Sequence, residues 1–258
     1  PDLHHLPSPY TTGVFDHIIE KYKDTEIVLN AIHETNRGCP FGCTFCDWGN
    51  GALGKVKKFN LKRVKSEILW CAKNKIEFLA CADANFGAFK ERDLEIIKFL
   101  CKIKNRYNWP KIFDTSWHKN SSEKVLEIAE VAMNAGLLRR FSASLQSVNK
   151  ETLTAIKRTN ISTEILLKIM KVAKEKNIEV GTELMLPLPL ETYKTFLDNI
   201  EFCITHNTYM TISPTGILVN SEMNKPEYKE KYGLKTLKNK VGNCDHATEY
   251  EEIIIETI

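Results

Sequence analysis

The 258 residues hold no apolar run of about 18 residues, the length needed to cross the hydrocarbon core of a bilayer. Nor do they open on the charged, apolar and small-residue succession of a signal peptide. Both absences argue for a soluble, cytoplasmic protein without a membrane partner. Charge of one sign is also lacking: 36 Lys and Arg against 33 Asp and Glu leave a formal net charge of +3, which gives no evident call for nucleic acid. The eight cysteines are not evenly spaced and follow no leader, so a secreted disulfide framework is excluded and a reducing compartment is expected. No internal repeat and no low-complexity tract is present. No G-x-G-x-x-G follows any predicted strand, which counts against an open doubly wound dinucleotide-binding sheet.

What is present suits a large folded core, with 43% hydrophobic residues in a length that fits one domain or one domain with a tail. From residue 26 onward, short β-branched or apolar runs alternate with segments of helical period, the pattern of βα units on a parallel sheet. Strands are predicted at 26–33, 76–82, 111–116, 139–145, 179–186 and 209–212. Helices are predicted at 61–73, 92–103, about 121–135 with Ser121 and Ser122 as the N-cap, 150–156, 163–175 and 193–205. Six consecutive βα units make a partial (β/α)6 TIM-like barrel, in which chemistry sits at the C-terminal ends of the strands.

The expected organisation is a linker segment over 1–25, a barrel core over 26–220 and a C-terminal extension over 221–258. The basic stretch 225–240 reads as a solvated tail. The start at Pro1 and the apolar run Ile253 to Ile255 at the other end suggest trimming. Cys71, Cys81, Cys101 and Cys203 sit singly in apolar stretches and read as small core residues. Cys244 with His246 offers a weaker zinc-like pair.

Arg37-Gly38-Cys39-Pro40-Phe41-Gly42-Cys43-Thr44-Phe45-Cys46-Asp47-Trp48-Gly49 carries the chemistry. Three thiolates spaced C-x₃-C-x₂-C on a Gly- and Pro-rich loop can converge on three corners of a cubane cluster and leave its fourth iron open. The competing reading is a zinc knob, which takes four ligands in closed sites. Its nearest fourth ligands, His33 and Cys71, lie within a predicted strand and a predicted helix.

This motif, with an aromatic residue before the third cysteine and directly after the first strand, resembles the radical S-adenosylmethionine (SAM) superfamily. Asp83-Ala84-Asn85-Phe86-Gly87, Ser144-Leu145-Gln146-Ser147 and Ser221-Glu222-Met223-Asn224 resemble its cobalamin-binding branch. So does Pro7-Ser8-Pro9-Tyr10-Thr11-Thr12-Gly13, which is similar to a segment that links a cobalamin domain to the barrel.

The resemblance implies a fold of the radical SAM barrel type and a [4Fe–4S] cluster on Cys39, Cys43 and Cys46. It further implies reductive cleavage of SAM to a 5′-deoxyadenosyl radical that abstracts hydrogen from a substrate. Phe45 is implied as a neighbour of adenine, and Trp48 as a shield against water. Asp83 and Asn85 stand where relatives bind the SAM amino group. Ser144 and Gln146 stand where polar side chains reach its ribose or carboxylate, with Arg158 as a bidentate partner of that carboxylate. Glu183 is either a contact of SAM or substrate or a buried, satisfied carboxylate. Each polar residue has an alternative reading as an ordinary strand-end or helix-end side chain. The sequence departs from the family's Gly-Leu-Pro-Gly-Glu-Thr at Pro187-Leu188-Pro189-Leu190-Glu191-Thr192, where both glycines are replaced.

The implied cofactors are the cluster, SAM and, for methyl transfer in the cobalamin branch, cobalamin. The implied partners are an electron donor such as a flavodoxin or ferredoxin, a substrate the sequence leaves unknown, and a cobalamin domain outside this chain. Trp117, His118 and Tyr209 are candidate substrate contacts, with packing as the alternative. A non-catalytic iron–sulfur protein for electron transfer or redox sensing is the rival class, and three ligands rather than four count against it.

Overall fold

The computed structural model describes residues 3–49, 54–119, 123–240 and 250–257. In chain order the helices are α1 (Asp16–Tyr22), α2 (Leu61–Lys73), α3 (Lys90–Tyr107), α4 (Glu123–Asn134), α5 (Lys150–Ala155), α6 (Thr163–Glu175), α7 (Tyr193–Thr205) and α8 (Pro226–Lys231). The strands are β1 (Asn30–His33), β2 (Asn36–Arg37), β3 (Lys57–Lys58), β4 (Phe78–Phe86), β5 (Ile112–Trp117), β6 (Arg140–Ser142), β7 (Glu179–Leu186), β8 (Tyr209–Pro214), β9 (Gly216–Ile217), β10 (Lys235–Lys240) and β11 (Tyr250–Glu256). The chain divides into two compact units.

The first unit comprises residues 1–38, 56–141 and 162–179. Its sheet runs β1-β4-β5, all parallel, with Ile32 opposite Ala80 and Leu79 opposite Phe113. Successive parallel strands require a helical crossover, and α2 and α3 supply them. The Asn60 side chain caps α2 by accepting from Lys62 N. Val64, Ile68, Cys71 and Ala72 then fall on one face at i, i+4, i+7 and i+8 and are buried. α2 packs on α3, α3 on α4 and α4 on α6. Cys71 and Cys81 are buried, as core cysteines should be, while Cys101 is half-buried. Trp117 is also packing: it stacks on Phe141 at 5.1 Å and meets Phe86 edge-on. Short β2 and β3 pair antiparallel, Asn36 with Lys58 and Arg37 with Lys57, so the chain leaves and re-enters this unit at paired positions around residues 38–56.

The second unit comprises 39–55, 142–161 and 180–258. Here β7 and β8 run parallel with Gly181 opposite Tyr209 and Leu184 opposite Ile212, in a sheet ordered β6-β7-β8. The run after β6 continues along β7, through Ala143 N to Gly181 O at 2.9 Å and Gln146 N to Glu183 O at 2.7 Å. α5 and α7 begin on side-chain caps, Asn149 for α5 and a Thr192–Thr195 capping box for α7.

Three expectations change. Strand one is shorter than predicted, beginning at Asn30. Strand two continues to Phe86, carrying Asp83 and Asn85 inside it rather than beyond its end. Residues 225–240 are not a solvated tail: Pro226 opens α8, and β10 pairs with β11, which pairs with β9. There the Tyr228, Tyr232 and Ile254 side chains join Ala155, Ile156 and Leu188 in a core. The predicted cap at Ser121 and Ser122, and Cys244 with His246, lie outside the described residues.

Candidate active site

The cysteine loop lies in the second unit and is held from behind. Thr44 N donates to Ile156 O at 3.1 Å, and Met223 N donates to Thr44 O at 2.9 Å. The Thr44 hydroxyl meets that of Tyr228 at 3.0 Å. Phe45 packs partly against the same core that holds Ile156, Leu188 and Met223. Inside the loop a Cβ on Gly49 would stand 1.7 Å from the Phe41 carbonyl oxygen, so only glycine lets the two backbone segments meet. Gly38, just before Cys39, has φ of 108°, another position that glycine alone adopts freely.

Cys39, Cys43 and Cys46 form no disulfide, and the first two are only 4% and 5% exposed. Among the described residues no three His, Cys, Asp or Glu side chains are grouped to hold a single metal ion. A mononuclear tetrahedral site with Zn–S near 2.3 Å would need sulfurs only about 3.8 Å apart. A cubane gives each of three thiolates its own iron and so uses a wider spacing.

Arg158 stands beside these thiols, 5% exposed. Burial pulls its guanidinium below the ordinary value, while the neighbouring Cys43 and Cys46 sulfurs and the Glu183 carboxylate push it back up. Its Nε donates to Asn160 Oδ1 at 2.8 Å, and one Nη2 hydrogen goes to the Ser144 carbonyl. Nη1 is buried without a hydrogen-bond partner. Nε and one Nη2 hydrogen are therefore spent within the protein, which leaves both Nη1 hydrogens and the second Nη2 hydrogen. Asn160 is fixed in turn by donating to Ser147 O at 2.7 Å.

Gln146, bridged to Leu184 of β7 beyond the end of β6, has φ of 66°, unusual for a residue with a side chain, and its Oε1 is buried without a partner. Strain and an unsatisfied acceptor at one residue are a signature of functional sites. Ser144 Oγ donates to Glu183 Oε2 at 3.2 Å, and Glu183 is on the exposed side of β7, so the buried-carboxylate reading is set aside. Trp48 is 40% exposed. Asp47, which the sequence reading passed over, has a buried Oδ1 without a partner, and its place directly after Cys46 was the available signal.

Asp83 and Asn85 belong to the first unit, both buried. Asp83 is fully engaged there: Oδ1 accepts from Thr35 N at 2.7 Å and Asn36 N at 3.0 Å, and Oδ2 accepts from Asn36 Nδ2 at 2.6 Å and from the Thr35 hydroxyl. Arg92 completes the knot on Thr35, with Nη1 on the hydroxyl at 2.9 Å and Nη2 on the carbonyl at 2.7 Å. This carboxylate fixes the turn from β1 into β2 and has no oxygen waiting for an ammonium. Of the candidate substrate contacts, His118 N bonds Phe86 O at 2.8 Å and Tyr209 is 60% exposed.

Residues 34–203 match the family model described as the radical SAM superfamily. The chain belongs to the radical SAM superfamily. Two curated relatives are 35% identical to it: the cobalamin-dependent radical SAM methyltransferase TokK of Streptomyces tokunonensis, over 100% of this chain and 39% of its own length, and the 2-(S-pantetheinyl)-carbapenam-3-carboxylate methyltransferase of Streptantibioticus cattleyicolor, over 97% and 38%. The chain thus spans about two fifths of the relatives it matches. Among solved structures, the radical SAM methyltransferase TsrM from Kitasatospora setae, with cobalamin and a [4Fe–4S] cluster bound, superposes with a TM-score of 0.65 at 15% identity, covering 84% of this chain and 43% of that one. That likeness fixes the radical SAM fold. The α/β pattern of parallel strands and helices read from the sequence is borne out, and no helix among the described residues is long and apolar enough to cross a membrane.

Proposed function

We propose that this radical SAM chain binds a [4Fe–4S] cluster through Cys39, Cys43 and Cys46 and cleaves SAM reductively, as the core of a cobalamin-dependent methyltransferase. The observation that carries the reading is the set of three cysteines, none in a disulfide, on one pinned loop with a buried arginine against two of them. Thiolates and bound anions accumulate negative charge, and a fixed guanidinium in a water-poor site offsets it. When bound, the cluster supplies the single electron that breaks the S–C5′ bond of SAM and yields the 5′-deoxyadenosyl radical.

The protein's own share is binding and orientation. Arg158 Nη1 donates to the SAM carboxylate. Asp47 Oδ1 and Gln146 Oε1 are acceptors kept dry for the donors of a ligand, the role first given to Asp83. Ser144, just past β6, and Glu183 on β7 present hydroxyl and carboxylate to the ribose, and Phe45 offers a ring to adenine. Cobalamin, and methyl transfer as the outcome, rest on the two curated relatives.

The test is 5′-deoxyadenosine formation from SAM by anaerobically reconstituted, dithionite-reduced protein, with Cys43→Ala as control. Product only with the intact triad is expected; iron loading without SAM cleavage would sink the catalytic reading. Arg158→Gln should retain its iron and lose SAM affinity about tenfold or more.

A further inference from the structure

Asn199 lies on the buried face of α7, between Phe196 and Cys203, which pack with Leu184 of β7 in one apolar cluster. An asparagine at 0% exposure in that setting is costly unless both ends of its amide are bonded, and here both are. Oδ1 accepts from Val148 N at 2.7 Å, and Nδ2 donates to Glu191 Oε1 at 2.7 Å. The partners dictate that orientation, since a backbone N–H only donates and Oε1 already accepts the Ser147 proton. Ser147 Oγ closes the knot: it donates to Glu191 Oε1 at 2.9 Å, stands 3.3 Å from Asn199 Oδ1 and accepts from Asn149 N at 3.2 Å.

The knot holds residues 147 and 148, and two side chains read above as SAM contacts depend on them. Gln146 is fixed by its own backbone to β7, its N donating to Glu183 O at 2.7 Å and its O accepting from Met185 N at 3.1 Å. Directly after it, Ser147 and Val148 are tied to α7. The left-handed φ of 66° at Gln146 lies between these two anchors, so releasing the second lets the residue relax toward an ordinary backbone and carries its side chain away. Arg158 hangs from the same place. Ser147 O accepts from Asn160 Nδ2 at 2.7 Å, and Asn160 Oδ1 accepts from Arg158 Nε at 2.8 Å. The hydrogen bonds of Asn199 itself go to neither Gln146 nor Arg158.

We propose that Asn199 is a positioning residue for SAM, setting both Gln146 and Arg158 through Ser147 and Val148. The inference rests on the reading of Gln146 and Arg158 as SAM contacts. It assigns to the interior of α7 a share in cofactor affinity that no group on the cysteine loop supplies.

The test measures SAM affinity by calorimetry on the whole, anaerobically reconstituted chain, with iron and sulfide per chain and the melting temperature read on the same samples. The change that SAM makes in the EPR spectrum of the reduced protein is the second signature. Asn199→Ala is expected to load iron to the wild-type level and to bind SAM about tenfold more weakly or worse. The paired exchange of Asn199→Asp with Glu191→Gln reverses donor and acceptor along the 2.7 Å contact, leaves an acceptor for Val148 N and lets the Ser147 hydroxyl turn to it. It should recover most of the lost affinity. Wild-type affinity in Asn199→Ala, or a paired variant that loads iron yet binds SAM no better than Asn199→Ala, overturns the positioning role and leaves the SAM reading intact. Loss of iron and of melting temperature in both variants also overturns it and makes Asn199 a residue of the fold alone. Wild-type protein that loads iron and shows no SAM binding overturns the SAM contacts first, and this inference with them.

Discussion

Thr44 donates its hydroxyl proton to Tyr228, across 3.0 Å, because the single proton of the Tyr228 phenol is already directed at Ala155 O at 3.0 Å. Burial pushes the phenol up to about 12, so it keeps that proton at any physiological pH. Tyr228→Phe deprives both Thr44 and the Ala155 carbonyl of a partner and should cost about 2 kcal/mol. Urea denaturation reads the loss, and a cost under about 0.5 kcal/mol would mean that water replaces the phenol.

Gly49→Ala is the sharpest probe of the loop. A methyl group 1.7 Å from Phe41 O cannot be accommodated by a rotamer change, so the backbone around Cys43 and Cys46 must move. Iron and sulfide per chain after anaerobic reconstitution should fall to less than half of the wild-type level, while Gly42→Ala, where a Cβ meets nothing within 4 Å, should load normally. Equal loading by both variants is the contrary result.

Leu190 occupies the place of a family glycine yet keeps a left-handed backbone, with φ of 62°. Its Cβ costs roughly 1–2 kcal/mol there, partly offset in a glycine variant by the entropy of the unfolded chain. The expected order of stability is Leu190→Gly at or above wild type, and Leu190→Val lowest because β-branching worsens the strain. Chemical denaturation midpoints in another order would remove the strain argument.

His33 and Asp93 should oppose each other in acid. The folded pKa of His33 is about 4 against an ordinary 6.5, so the unfolded chain protonates first as pH falls. Its contribution, about 3 kcal/mol, is present above pH 6.5 and lost on the way down to pH 4. Asp93 is raised to about 6, chiefly by burial, so its folded form binds the proton more tightly and stability increases as pH falls from 6 to 4. His33→Gln leaves the Asp93 effect unmasked. Relative to wild type, the variant should gain stability steadily from pH 6.5 to pH 4 in urea melts; parallel curves would show that His33 is not held neutral.

Asp83→Asn places an amide NH₂ among four donors that the carboxylate now accepts. A cost of about 3 kcal/mol is expected, with no recovery from added SAM. Destabilisation that SAM reverses would return Asp83 to ligand binding.

Elements with strong period were legible from sequence: α2, α6, β7 and α7 have the bounds the pattern gave. The three cysteines were legible because spacing alone confines them to one loop. What stayed hidden was decided by long-range partners. Nothing near Asp83 in sequence tells that Thr35 and Asn36, almost fifty residues earlier, will consume both oxygens. The solvated reading of 225–240 failed because its lysines dominate the composition, while Tyr228 and Tyr232, at helical spacing, are what the fold uses. Only the backbone could show that Leu190 keeps the turn of the glycine it replaces.

Ile254 N donates to Thr215 O at 2.9 Å, and its side chain, 2% exposed, lies in the same core as Ile156. Ile156 O is the acceptor that holds Thr44 N in the middle of the thiol loop. A protease clip or a shortened expression product that removed β11 would therefore be felt more than two hundred residues upstream, as a failure to take up iron before any loss of bulk helix.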